Sequence, residues 1–141
     1  MPLPTRPQWF EDEIEDSAAR GLESHMKNPH FSLARNAQHW QRFIADGMPL
    51  AKIQEIMTHS ISSHRRNLSN VTSFLARTDS GKGRILARFK GNPNEIEEFA
   101  VAYEATIDLM DAAPRSTFQE IEDECNRIIQ DTPHVKRRLY G

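Results

Sequence analysis

Residues 50–77 read LAKIQEIMTHSISSHRRNLSNVTSFLAR. The apolar positions Ile53, Ile56, Met57, Ile61, Leu68, Val71 and Leu75 recur every three or four residues, His64 stands on the same stripe, and neither Gly nor Pro intervenes before Gly81. That period is helical, because one turn takes 3.6 residues. It predicts a single helix of ~26 residues, about 40 Å long at 1.5 Å per residue. A break at Thr58-His59-Ser60 is the competing reading, since Thr, His, Ser and Asn are weak helix formers and cluster there.

Working outward, Gly47 has the position of a glycine cap closing a helix over 30–46, whose apolar stripe is Leu33, Ala37, Trp40 and Ile44. An earlier helix opens at Pro7, carries Phe10, Ile14, Ala18, Leu22 and Met26, and is expected to end before Asn28-Pro29. Downstream, Thr78-Asp79-Ser80-Gly81-Lys82-Gly83 reads as a flexible loop over 78–83, and 84–90 fits either a helical turn or a short strand. Asn92-Pro93-Asn94-Glu95 has the form of a helix start. Ile96, Phe99, Tyr103, Ile107 and Met110 follow as its core stripe, widened by Ala102, Ala105 and Leu109. Ser116 with Gln119 predicts a second capping box, for a helix burying Phe118, Ile121, Cys125, Ile128 and Ile129 and stopping at Thr132-Pro133. A basic tail, 132–141, is expected to fray. The fold class is therefore all-α: a single-domain bundle of five to six helices with one long central helix, around Trp9, Phe10, Trp40, Leu68, Phe99, Ile107 and Ile121.

A chain of 141 residues is the size of one ordinary domain. It has no apolar run of about 18 residues and no signal-like start, which predicts a soluble, cytoplasmic protein with no membrane partner. The lone Cys125 allows neither an intramolecular disulfide nor a Cys-rich zinc site.

Charge is sorted along the chain. From His59 to Lys90 there are seven Lys/Arg, one Asp and no Glu, whereas Gly91 to Asn126 holds ten Asp/Glu and a single Arg115. Arg65, Arg66, Arg77, Lys82, Arg84, Arg88 and Lys90 are thus the candidate partner-binding residues, a footprint suited to phosphates or an acidic protein surface. The alternative is internal pairing with Glu95, Glu97, Glu98, Glu104, Asp108 and Asp111, which follow directly in sequence.

Part of this region resembles LuxR-type helix-turn-helix regulators. The resemblance rests on Phe43-Ile44-Ala45-Asp46-Gly47-Met48-Pro49, Lys52-Ile53-Gln54-Glu55-Ile56-Met57 and Ser63-His64-Arg65-Arg66-Asn67-Leu68. It implies a DNA-reading helix over Ser60–Leu68, but Met57 to His64 is about three residues too short for the family's pattern.

Other chemistry is poorly supplied. His25 and His30, like His59 and His64, are five apart, whereas ligands sharing a helical face want three or four, so no metal is expected. His64 is expected to be a hydrogen-bonded core imidazole. Ser60, Ser62, Ser63 and Cys125 belong to no nucleophile motif, and Gly81-Lys82-Gly83-Arg84 lacks the spacing of a phosphate loop. Glu97-Glu98 and Glu120, Glu122, Asp123 and Glu124 suit solvated faces. The expected function is a non-catalytic, cofactor-free interaction or regulatory protein docking on a protein or nucleoprotein through its basic centre, as virus-encoded accessory factors and inhibitors do. Direct DNA binding is the alternative, and a structural subunit of an assembly the second.

Overall fold

The computed structural model describes residues 7–140, with the side chains of 28, 30–32 and 132–140 outside the described set. It is all-helical. Five helices follow in order: α1 (Gln8–Ala45), α2 (Leu50–Leu75), α3 (Ser80–Arg88), α4 (Glu95–Ala112) and α5 (Phe118–Tyr140). α1 packs along α5, α2 and α3, while α4 packs on α2 and α5.

The Leu50 helix is unbroken over 26 residues, and Ile53, Met57, Ile61, His64, Leu68 and Val71 are its buried face. The helix break expected at Asn28-Pro29 is absent. α1 runs 38 residues with Pro29 inside it, making it longer than α2. Proline cannot donate to the carbonyl four residues back, here that of His25. The Asn67 Nδ2 of α2 donates to that carbonyl oxygen instead, at 3.0 Å. The local stop signal is thereby overridden, and Leu22, Met26, Leu33, Ala37 and Trp40 stay on one buried stripe.

Gly47 closes α1 as expected. At φ 82° it takes the left-handed conformation, with Gly47 N donating to Ile44 O at 3.1 Å and Met48 N to Phe43 O at 3.0 Å. These are the paired bonds of a Schellman motif.

The flexible loop expected over 78–83 is shorter, because α3 already begins at Ser80 and also replaces the turn or strand considered for 84–90. Lys82 Nζ donates to Leu75 O at 2.7 Å, satisfying a carbonyl at the end of α2. The Arg77–Asp79 pair lies over Gly81: a Cβ would stand 2.8 Å from Asp79 Oδ2 and 3.0 Å from an Arg77 guanidinium nitrogen, so these exposed side chains would have to shift to admit one.

α4 begins at Glu95 with Asn94 at the N-cap and no side-chain cap bond, two residues later than the start expected at Asn92, whose Oδ1 instead accepts from Asn94 N at 3.0 Å in the turn ahead of the helix. The capping box of α5 is shifted by one residue. Glu120 N donates to Thr117 Oγ1 at 3.1 Å and Ser116 N donates to Glu120 Oε1 at 3.1 Å, so Thr117 and Glu120 take the roles expected of Ser116 and Gln119. α5 continues through Pro133 to Tyr140, so the stop expected at Thr132-Pro133 is absent. A proline inside a helix removes one N–H and bends the rod without ending it.

The core draws on four helices and on Phe89 just beyond α3. Trp40, Leu68, Phe99, Ile107 and Ile121 lie in it as expected, but Trp9 and Phe10 are exposed, as are Leu109 and Phe118. Their helices turn other faces inward. Ile107 is fully enclosed, and Ile107→Ala is expected to cost about 2–5 kcal/mol, read as a lower denaturant midpoint at unchanged slope.

Candidate functional site

The acidic start of α1 and the arginines of α3 form the most heavily charged contact. Arg84 and Arg88 are four apart on α3 and so share a face. Opposite them, Asp12, Glu15 and Asp16 share a face of α1. Arg84 Nε pairs with Glu15 Oε1. Arg88 reaches Glu15 Oε2 at 2.6 Å, Asp16 Oδ1 at 2.7 Å and Asp12 Oδ1 at 3.0 Å. Glu15 is only 5% exposed. A carboxylate this enclosed is tolerable when guanidinium donors occupy its oxygens.

The other candidate cations are dispersed. Arg65 bridges Asp108 at 3.0 Å and Asp111 at 3.1 Å on α4. Arg77 pairs with Asp79 at 2.6 Å, and that hydrogen-bonded pair holds the Asp79 carboxyl at about 2. Arg66 is exposed on the outer side of α2. Lys90 lines a small cavity of about 190 Å³ with Glu23, Met26, Lys27, Phe89, Gly91 and Glu95, and its backbone N–H donates to Glu23 Oε1 at 2.7 Å. The internal pairing expected with the acids of α4 holds for Arg65. For Arg84 and Arg88 the acids come instead from α1, a partner that the run Glu11–Asp16 signals in sequence and that neighbour-to-neighbour reasoning passed over. Nor does the chain form the turn that a LuxR-type motif needs between Met57 and His64. α2 is continuous there, and His64 points into the core.

His64 belongs to a polar seam joining three helices. His64 Nδ1 lies 2.6 Å from the Tyr103 hydroxyl of α4, and Nε2 lies 3.2 Å from Asn36 Nδ2 of α1. Asn36 Nδ2 also donates to Ser60 Oγ at 2.8 Å. On the other side, Asn67 Oδ1 lies 2.5 Å from His25 Nδ1. Burial lowers the His64 pKa. Burial also pushes the Tyr103 phenol up to about 12, against a hydrogen bond from Asn67.

Among the described residues no group of three or more His, Cys, Asp or Glu could hold a metal ion, and no helix is long and apolar enough to cross a membrane. Cys125 is fully buried in α5. Burial, followed by the charges of Glu122 and Glu124, pushes its thiol up to about 12. Compared with family models, curated proteins and solved structures, the chain gives no significant match.

Two expectations follow. Arg88→Ala removes one of the two guanidinium donors described on the buried Glu15 and is expected to cost about 1–3 kcal/mol. A cycle with Glu15→Gln should show that the two changes are not additive. Cys125, enclosed and with its thiol pushed up by burial, should react with iodoacetamide much more slowly in the folded chain than in denaturant.

Proposed function

We propose that the chain is a non-catalytic helical interaction protein that docks on a protein partner through the amino-terminal end of α1 and the adjoining side of α3. One observation supports this reading: Trp9, Phe10 and Ile14 are 65%, 39% and 42% exposed on a helix end that Arg84 and Arg88 tie down. Trp9 meets Phe10 edge-on at 5.7 Å between ring centroids. Aromatic side chains already ordered on a helix have the character of interface anchors, because they lose large apolar area on binding at little further cost in entropy.

Charge narrows the partner. The run Glu11, Asp12, Glu13, Glu15 and Asp16 sets five carboxylates around this apolar ridge, against the two guanidiniums of Arg84 and Arg88. An apolar groove with a basic rim is complementary to it, whereas nucleic acid and anionic lipid are repelled. In this reading the helices act as one bundle that presents this end. The basic centre is mainly internal bracing, with Arg84, its side chain still 55% exposed, at the rim of the contact.

The test captures the partner from the native host through a photo-crosslinker beside Trp9, purifies it and titrates variants. Trp9→Ala and Ile14→Ala should each weaken binding by about tenfold or more with unchanged thermal midpoints, since anchors typically contribute over 1 kcal/mol, and Arg66→Glu should bind as wild type. Full binding by Trp9→Ala, or loss of binding in Arg66→Glu, would return the contact to the basic centre.

A further inference from the structure

We infer that the polar seam linking His25, Asn67, Tyr103, His64 and Asn36 is an acid-sensitive latch, which loosens α4 and the Pro29 region of α1 from α2 when His64 takes up a proton. This inference does not depend on the docking reading. Its basis is geometric. His64 is 6% exposed where α1, α2 and α4 meet, and its hydrogen-bond partners among the described residues, the Tyr103 hydroxyl and the Asn36 amide, are neutral. An imidazolium there carries a full charge and donates from both nitrogens. Nε2 faces the amide nitrogen of Asn36, which is itself a donor. Turning that amide over would let its Oδ1 accept from both Nε2 and the Ser60 hydroxyl, which leaves the enclosed charge itself as the cost of protonation.

Among the described residues no carboxylate is hydrogen-bonded to His64. Of the described titratable groups in the seam, α1 contributes His25, reached through Asn67, and α4 contributes Tyr103. Farther along α4, Asp108 and Asp111 are already engaged by Arg65 at the surface. The buried acid of α5, Glu124, is held by Arg127, and that of α1, Glu15, by the arginines of α3. Leucine at position 64 would continue the apolar stripe of α2, so an imidazole there departs from the pattern around it.

The direction follows from linkage. A histidine held neutral in the closed state, with its pKa lowered by burial, costs nothing above its open-state value of about 6.5 and opposes closure increasingly as pH falls below it. Opening the seam also withdraws Asn67 from the His25 carbonyl, the one that Pro29 leaves without a backbone donor. α1 can then bend at that point, so one protonation reaches both helices.

Hydrogen exchange of the full chain at pH 7.5 and 5.5, corrected for intrinsic rates, tests this. Protection over 22–33 and 96–110 should fall by up to about tenfold at pH 5.5 in the wild type, the most that one histidine with an open-state pKa of about 6.5 can supply, while α3 changes less. His64→Gln should abolish the pH effect and His25→Gln should keep it. Unchanged protection in the wild type, a persistent effect in His64→Gln, or an equal loss over all helices would overturn the proposal. Should His64→Gln fail to fold, histidine NMR titration of the wild type decides the same point. The His64 ring should stay neutral while α4 is protected and gain its proton as protection is lost. A ring that protonates while α4 remains protected overturns the latch.

Discussion

The bond from Asn67 to the His25 carbonyl is the constraint on which the architecture rests. α1 is the common wall against which α2, α3 and α5 pack, and it contains a proline at a point where local rules end a helix. An interior proline costs about 3 kcal/mol and leaves a carbonyl without its donor. Were α1 to stop at Asn28, Leu33, Ala37 and Trp40 would lose their register with Leu22 and Met26, and the continuous stripe facing the core would be cut in two. Asn67 lies on α2, so this repair exists only when the two helices are packed. The continuity of α1 is therefore a tertiary property, and the same residue binds the His25 ring and reaches Tyr103 on α4.

Charge follows a similar logic of matched spacing between distant elements. Arg84 and Arg88 stand one turn apart on α3, and Asp12, Glu15 and Asp16 are three and four apart on α1, so two short faces of opposite sign meet when α3 folds back. Pairing with the adjacent α4 would have needed no such return. The determinant is the enclosed Glu15, which without a guanidinium would be a buried charge with nothing to compensate it. Arg65, exposed on α2, makes the more ordinary contact with α4, and such solvent-facing pairs contribute little.

Elements with an uninterrupted period were legible in the sequence. α2, the core stripe of α4 with Tyr103 and Ile107, the Gly47 cap and the core placement of His64 all follow from spacing and turn chemistry that no distant contact contradicts. The failures share a cause. Pro29 reads as a stop because the donor that compensates for its lost N–H, Asn67, lies on another helix. α3 was missed because its glycines look like a loop until the Arg77–Asp79 pair lying over Gly81 is known. Trp9 and Phe10 were assigned to the core because aromatic residues usually bury, although Glu15, Ala19 and Leu22 define the inward side of that helix. The charge block was visible from the outset, but its partners were not, since sequence order says nothing about which face returns to which.

The two polar assemblies divide the molecule according to what can disturb them. The brace between α1 and α3 is made of full charges, several of them open to solvent, so added salt weakens its outer pairs over a screening length of about 8–10 Å and spares the enclosed bonds to Glu15. The seam among α1, α2 and α4 is joined by Asn, Ser, Tyr and His side chains, with no Asp, Glu, Lys or Arg in the bonds described. Salt has little purchase on it, and protonation is what introduces a charge. The end carrying Trp9 is thus held by guanidinium–carboxylate pairs, in which no histidine takes part. The middle of α1, by contrast, rests on hydrogen bonds sensitive to the charge of one imidazole. Separating the two kinds of contact allows the centre of the molecule to loosen while its exposed apolar end stays in place.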